Sequence, residues 1–338
     1  MSQPTAPETL GSLTDETPID PNSKKAKAIT GRSPMQIALG RLMRDKIAVV
    51  CAIVILFFII VAVFAPWINK FFGVDTETVF PSQYLDILGG GMPLEGPPNN
   101  GFDPDHPFGI APQTADDNLA YWVEGCRTSL TIAALATLFA SVLGVTIGLL
   151  AGFLGGIVDK VLSFFIDLFL TVPFLLAALT LAPILNERFN TADSYVTIQK
   201  FSLIGVLAVF GWMGTARLIR GEVLSLRERE FVQAARVLGM PTSRVLLKEL
   251  MPNLAAPIII SVSLMLPAFV AAEAGLAFLG IGVTSGASWG QTISKAVKYF
   301  EQYPLYLWEP LIGVVLLVLS LNLLGDAIRD ALDPKTRR

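Results

Sequence analysis

The sequence predicts an all-α integral membrane protein with six transmembrane helices and both termini in the cytoplasm. Of its 338 residues, 53% are hydrophobic and only 16% charged, and the mean hydropathy of +0.59 is too high for a soluble domain. Six apolar runs, each near the ~20 residues needed to cross ~30 Å of hydrocarbon, fall at 47–68, 129–153, 161–185, 201–218, 254–272 and 307–324. None alternates apolar and polar residues as a barrel strand does, and lipid admits only helices or closed barrels.

Residues 1–32 are polar and rich in Pro, Ser and Thr, the composition of a disordered tail, and hold no cleavable signal. The first span is therefore expected to be an uncleaved anchor. Ahead of it, over 33–46, Met35, Ile37, Leu39, Leu42 and Met43 interleave with Arg41 and Arg44. That pattern suits an interfacial helix on an anionic leaflet, or an extension of the first span.

Basic residues set the orientation. Seven precede the first span, one lies between the second and third, seven surround the segment between the fourth and fifth, and four follow the last, against six on the other side. The positive-inside rule places both termini and the 228–253 segment in the cytoplasm, and the 69–126 loop outside. That loop carries nine acids and no base between Asp75 and Glu124. Residues 127–338 then form a core of five spans.

In the second span Ala140, Gly144, Gly148 and Gly152 recur every four residues, a smooth stripe against which another helix can pack closely. Such stripes serve static and moving interfaces alike. Asp167 is the clearest acid within a span, six residues before the kink-prone Pro173, and an intramembrane carboxylate bonds a neighbouring helix, snorkels or functions directly. Cys51 and Cys126 lie near opposite ends of the membrane layer, too far apart to bridge.

Between the fourth and fifth spans the chain reads EREFVQAARVLGMPTSRVLLKELMPN over 228–253. Phe231, Ala234, Ala235 and Leu238 fall on one face of a short helix, with Arg229, Gln233 and Arg236 toward the other. Gly239 suits a left-handed helix terminus and Pro241 prevents continuation. Thr242 or Ser243 can cap a second helix running to Pro252. The expectation is a helix-turn-helix knob on the cytoplasmic surface, the paired alanines leaving a shallow place for a partner.

Two common enzyme motifs are absent. The only histidine is His106, so no H-E-x-x-H zinc site exists, and no lysine follows a glycine, which removes a P-loop. No catalytic or metal-binding residues are expected, and energy must come from elsewhere.

Gln233-Ala234-Ala235, then Gly239 and Pro252 at fixed intervals, resembles the EAA loop of bacterial ABC importer permeases, with Gln in place of the usual acid. Further motifs resemble the dipeptide, oligopeptide and nickel permease family, C-type subunit, from about Met35 to the C-terminus. They are His106-Pro107-Phe108-Gly109, Leu150-Ala151-Gly152-Phe153 with Gly155-Gly156 and Asp159, the run from Glu273-Ala274-Gly275-Leu276 through Phe278 to Gly282, Ser288-Trp289-Gly290, and the tail from Asn322 to Pro334. The sequence departs from the family pattern after Gly109, where IAPQTADDNLAYWVEGCR replaces the usual Thr-Asp and Gly-Arg-Asp.

The resemblance implies the type I importer permease fold and a division of labour. A homologous permease would share the pathway, two ATPase subunits would bind ATP and Mg, and an extracytoplasmic solute-binding protein would deliver a peptide; this chain would hold no cofactor and meet lipid but no nucleic acid. Glu230, Gln233, Ala234, Ala235, Gly239 and Pro252 would couple to an ATPase. Glu273, Gly275, Phe278 and Trp289 would line the pathway or a gate, and Gly144, Gly148, Gly152 and Asp167 would pack within the membrane. Import of nickel or another small solute is the alternative within the family. A secondary transporter would instead predict inverted repeats, broken helices and midplane ion ligands, and the sequence shows neither repeat nor midplane acids.

Overall fold

The computed structural model describes residues 34–76, 81–188, 195–283 and 286–333. The expected disordered tail, 1–32, and the basic residues Lys335, Arg337 and Arg338 lie outside the described residues.

Helix α1 (Pro34–Leu42) is separated by a turn from α2 (Lys46–Phe72) and lies against the end of the last helix, where Arg41, Leu42 and Asp45 share a cleft with Ala327, Asp330 and Ala331. Asp45 caps α2 by accepting from the amides of Ile47 at 2.9 Å and Ala48 at 3.4 Å. Only one stripe of α2 is buried, Ala48, Cys51, Ile55, Phe58, Val61 and Ala65, while Val50, Ile53, Phe57 and Ile60 point outward. A helix apolar all round but buried on one side is built to meet lipid on the other. Gly73, in the left-handed region, ends it.

The following segment folds as a cap rather than an open loop. It holds the single turn α3 (Pro81–Tyr84) and the antiparallel pair β1 (Leu85–Asp86) and β2 (Met92–Pro93). Asp117 then caps α4 (Asn118–Leu154), whose 37 residues reach about 55 Å at 1.5 Å per residue, well beyond the hydrocarbon layer.

The expected third span, 161–185, is not one helix. α5 (Gly156–Thr171) and α6 (Phe174–Arg188) meet at 85°. Pro173 supplies no amide and disfavours helical geometry in the residue before it, and Val172 is extended at φ −78°, ψ 118°. The fourth span is a milder case. α7 (Tyr195–Val209) and α8 (Trp212–Leu226) form one apolar stretch, interrupted where Gly211 packs against Phe269.

After α9 (Glu230–Val237) the chain turns into α10 (Thr242–Arg244), which passes through a π-helical turn, Val245–Leu250, into α11 (Met251–Phe278). The expected second knob helix does not stop at Pro252. Pro252 follows directly on the π-helical turn, and the helical stretch runs on through it. The expected cap is also corrected, because Pro241 occupies that position and no side chain caps the turn. α12 (Trp289–Ala296), a 3₁₀ turn (Val297–Tyr299) and α13 (Pro304–Leu332) complete the described chain.

Among the described residues, five helical segments are long and apolar enough to cross a membrane, or six with the bent pair counted as one span. α4 is the central post, packed against α8, α11 and α2, with α13 joining α11 and α2 on the other side. Phe58, Trp122 and Trp289 form an aromatic junction of α2, α4 and α12, with ring centroids 5.6 to 6.2 Å apart. Contacts place the cap and α12 at one end of the bundle, and the α9–α10 knob, α1 and the last turn of α13 at the other.

Candidate functional site

The knob is packed onto the ends of α4 and α8. Val232 and Ala235, one helical turn apart, are buried against Val245, Leu246, Leu250 and Leu254 and against Val145, Leu149 and Phe153 at the end of α4. Burying each such Val or Leu stabilises by about 1.5–3 kcal/mol. Arg236 lies 4.4 Å over the Phe153 ring, and Arg227 Nη1 donates to the Gly152 carbonyl at 3.1 Å. The turn is closed by Gly239 at φ 75°: its amide donates to the Arg236 carbonyl and that of Met240 to the Ala235 carbonyl, both at 3.0 Å. This bond pair satisfies helix-end carbonyls and requires a left-handed residue at Gly239.

The two alanines divide. Ala234 is on the surface, whereas Ala235 is turned inward, so the paired-alanine contact place expected from sequence does not exist. The reason is geometric: adjacent helical residues are about 100° apart, and Val232 and Ala235 claim the inner face. Leu238 is 83% exposed and Val237 87%, with Phe231 and Leu247 also outward, an apolar surface that sequence reasoning only partly found. Gln233 is exposed, its Nε2 reaching the Arg227 carbonyl at 3.4 Å, a long bond. Glu230 opens α9 and lines a cleft of about 790 Å³ with Leu226, Glu228, Arg229, Phe231 and Asn253; Pro252 is exposed beside it.

Behind the knob, the glycine stripe lies against α8. A Cβ on Gly144 would stand 2.7 Å from the Trp212 carbonyl oxygen, on Gly148 2.5 Å from that of Ala216, and on Gly152 2.8 Å from Val223 Cβ. α5 is tied to the same helix by two ion pairs that sequence reasoning missed: Asp159 accepts from Arg220 through both oxygens at 2.5 and 2.9 Å, and Asp167 pairs with Arg217. The signal was present as arginines three residues apart on α8 facing carboxylates two turns apart on α5.

The gate candidates also divide. Gly275 and Phe278 are exposed on one side of α11, but Glu273 and Trp289 are fully buried within this chain. Residues 273–283 form the last turn of α11 and a glycine-closed bend at Gly280, and α12 begins at Trp289. Ser288 Oγ donates to Glu273 Oε1 at 2.9 Å, Trp289 Nε1 donates to the Trp122 carbonyl at 2.8 Å, and Gly290 lies directly on the Ala274 carbonyl. α12 is thereby fastened to both α11 and α4.

At the same end, His106 Nδ1 lies 2.7 Å from Asp117 Oδ2 while Asp117 Oδ1 accepts from the Ala120 amide at 2.8 Å. Burial pushes the Asp117 carboxyl above its ordinary value of 3.8, opposed by the His106 bond and by amides of α4. Tyr303 donates to the Phe108 carbonyl at 2.9 Å, as does Asn118 Nδ2 at 3.1 Å, and burial raises the Tyr303 phenol. The atypical stretch after Gly109 holds Gln113 and Ala115 in the left-handed region. It closes on a small cleft with Lys295, Lys298 and Tyr299.

Residues 144–338 match the family described as the binding-protein-dependent transport system inner membrane component, and residues 33–82 match the N-terminal TM domain of oligopeptide transport permease C. The chain belongs to this inner-membrane transport family. The permease is 32% identical over 302 residues to the oligopeptide transport system permease protein OppC of Bacillus subtilis (strain 168), covering 89% of this chain and 90% of that protein. It is 32% identical to the dipeptide transport system permease protein DppC of Alkalihalophilus pseudofirmus (94% and 96% covered), and 30% to OppC of Escherichia coli K12 (94% and 96%). Among solved structures, a chain of the inward-facing MetNI methionine ABC transporter aligns with a TM-score of 0.49 at 20% identity, covering 63% of this chain and 96% of that one. The permease is a multi-pass membrane subunit of an ABC importer; ATP is hydrolysed by separate ATPase subunits, and the family works with a partner permease and a binding protein.

Proposed function

We propose that the chain is one of two homologous permeases enclosing the pathway of an ATP-driven importer of di- or oligopeptides in a bacterial cytoplasmic membrane. The knob and both termini face the cytoplasm, as the excess of basic residues at that end favours. The observation that carries the reading is the knob itself: a helix pair packed onto the ends of α4 and α8, presenting Phe231, Ala234, Val237 and Leu238 outward, whose second helix continues without a loop into α11. Such an element fits a groove on an ATPase subunit and delivers its movement to the bundle. ATP and Mg bind to the ATPases, and an extracytoplasmic binding protein brings the peptide to the cap. The names of the relatives support peptides as cargo.

The test is reconstitution with the two ATPases, the partner permease and the binding protein in liposomes. ATP-dependent entry of labelled di- to pentapeptides, competed by unlabelled peptide and not by nickel, is the expected result. Nickel uptake without peptide uptake would transfer the chain to the metal branch of the family.

A further inference from the structure

Two ion pairs join α5 to α8, and they differ in character. Asp159–Arg220, near the knob end, is bidentate and half-buried, with Ser163 also donating to Asp159 at 3.0 Å. Asp167–Arg217, about two turns deeper, is a single contact between side chains that are 62% and 61% exposed. The surface around it is apolar: Phe164, Phe165, Leu168 and Leu218 are also exposed. A charged pair set in such a belt cannot face hydrocarbon, because ionisable groups at membrane depth turn to the bundle interior or to water.

The backbone beside it points the same way. One turn beyond Asp167, α5 breaks at Val172–Pro173 into the 85° elbow, and Thr171, Val172 and Pro173 are all exposed. Broken helix ends carry carbonyls and amides without intrahelical partners, and such backbone is tolerated at membrane depth only against protein or a water-filled cavity. The ion pair and the elbow therefore exclude lipid from one continuous face of α5.

We propose that this face lines the translocation passage and that Asp167 and Arg217 receive the two charged ends of a peptide, a role that rests on the importer reading above. The fit is chemical: every uncapped peptide carries one ammonium and one carboxylate whatever its side chains. A carboxylate takes the ammonium, and a guanidinium takes the carboxylate in a fork geometry. In the empty passage the two side chains neutralise each other. A zwitterion opens the pair and replaces one ion pair by two. Asp159–Arg220 stays closed and holds α5 to α8 while the outer rung exchanges.

The test uses the complete importer in liposomes with trialanine, its N-acetyl derivative and its C-terminal amide. Because the delivery protein is common to all variants, its own selection cancels in ratios to the unaltered complex. Asp167→Asn is expected to reduce the preference for free over N-acetylated peptide about tenfold, and Arg217→Gln the preference for free over amidated peptide by a similar factor, with Arg217→Lys restoring most of the latter. Equal loss for all three peptides, with ratios unchanged, would make the pair merely structural and overturn the proposal. Separately, Asp167→Cys with Cys51 and Cys126 replaced by Ala should react with a charged methanethiosulfonate and be protected by trialanine. Absence of reaction with and without ATP would show the face covered by lipid or protein and equally overturn it. Failure of the importer reading has its own signature, an unaltered complex that moves no peptide, and leaves the labelling result to judge the elbow.

Discussion

Gly148 of α4 sits so close to Ala216 of α8 that a Cβ on the glycine would stand 2.5 Å from the alanine's carbonyl oxygen and 3.0 Å from Ile219 Cβ. Backbone lies against backbone there, and no flexible side chain can give way. Gly148→Val is expected to lower stability by about 1–3 kcal/mol through overpacking. Gly221→Ala, on the exposed side of α8 with nothing within 4 Å, should leave stability unchanged or raise it slightly. Thermal unfolding of both variants in detergent checks the contrast; equal melting temperatures would refute the close seam.

The division of Ala234 from Ala235 separates folding from coupling. Ala235→Trp drives an indole into the core beside Val232 and Leu250, and is expected to destabilise the knob by about 1–3 kcal/mol. Leu238→Glu places a charge on an exposed residue and should leave the melting temperature within a degree or so while weakening ATPase binding about tenfold or more. Pull-down with the ATPases alongside a melting curve distinguishes them.

Gly239 closes the knob at φ 75°. Gly239→Val puts a β-branched residue into the left-handed region, at a cost of about 1–2 kcal/mol, whereas Gly239→Asn should lose less than half of that. Protease nicking between α9 and α10 should rise for Val and stay near the unaltered level for Asn.

Asp117 gives a pH dependence whose sign follows from burial. Its carboxyl is raised in the folded protein, so its contribution to stability is complete below the ordinary value of 3.8 and is lost as pH rises through the folded value; the His106 bond reduces the amplitude. Asp117→Asn has no proton to lose. The melting temperature of the unaltered protein relative to this variant is therefore expected to fall as pH rises above 3.8. A gap that widens with pH would show that the ion pair with His106 outweighs burial.

Hydropathy made most of the bundle legible because lipid-facing helices are apolar on every side, as α2 is, and so stand out whatever they pack against. Pro173 announced a kink, but its 85° depends on where α6 finds packing, which local sequence does not record. The knob's inner face was misread because eight residues make barely two turns, and its partners Val245, Leu246 and Leu254 lie in a segment that seemed to stop at Pro252. The burial of Glu273 and Trp289 within the chain is not legible, because apolar, glycine-rich sequence looks alike whether it lines a passage or plugs a seam. Asp167 was found as an oddity, but its partner Arg217 had been counted among the cytoplasmic charges, and only the fold set them side by side.

Thr242–Phe278 crosses from the knob to the far end of the bundle as one helical stretch of 37 residues, about 55 Å long. Its far end carries Ala274, on whose carbonyl Gly290 of α12 rests, and Glu273, which holds Ser288. It is geared like a lever with a load at each tip: a tilt of about five degrees at one end displaces the other by roughly 5 Å over that length. The π-helical turn Val245–Leu250 is where such a lever has its give. Shortening or stiffening that turn would change the gearing between the two ends without touching either contact surface.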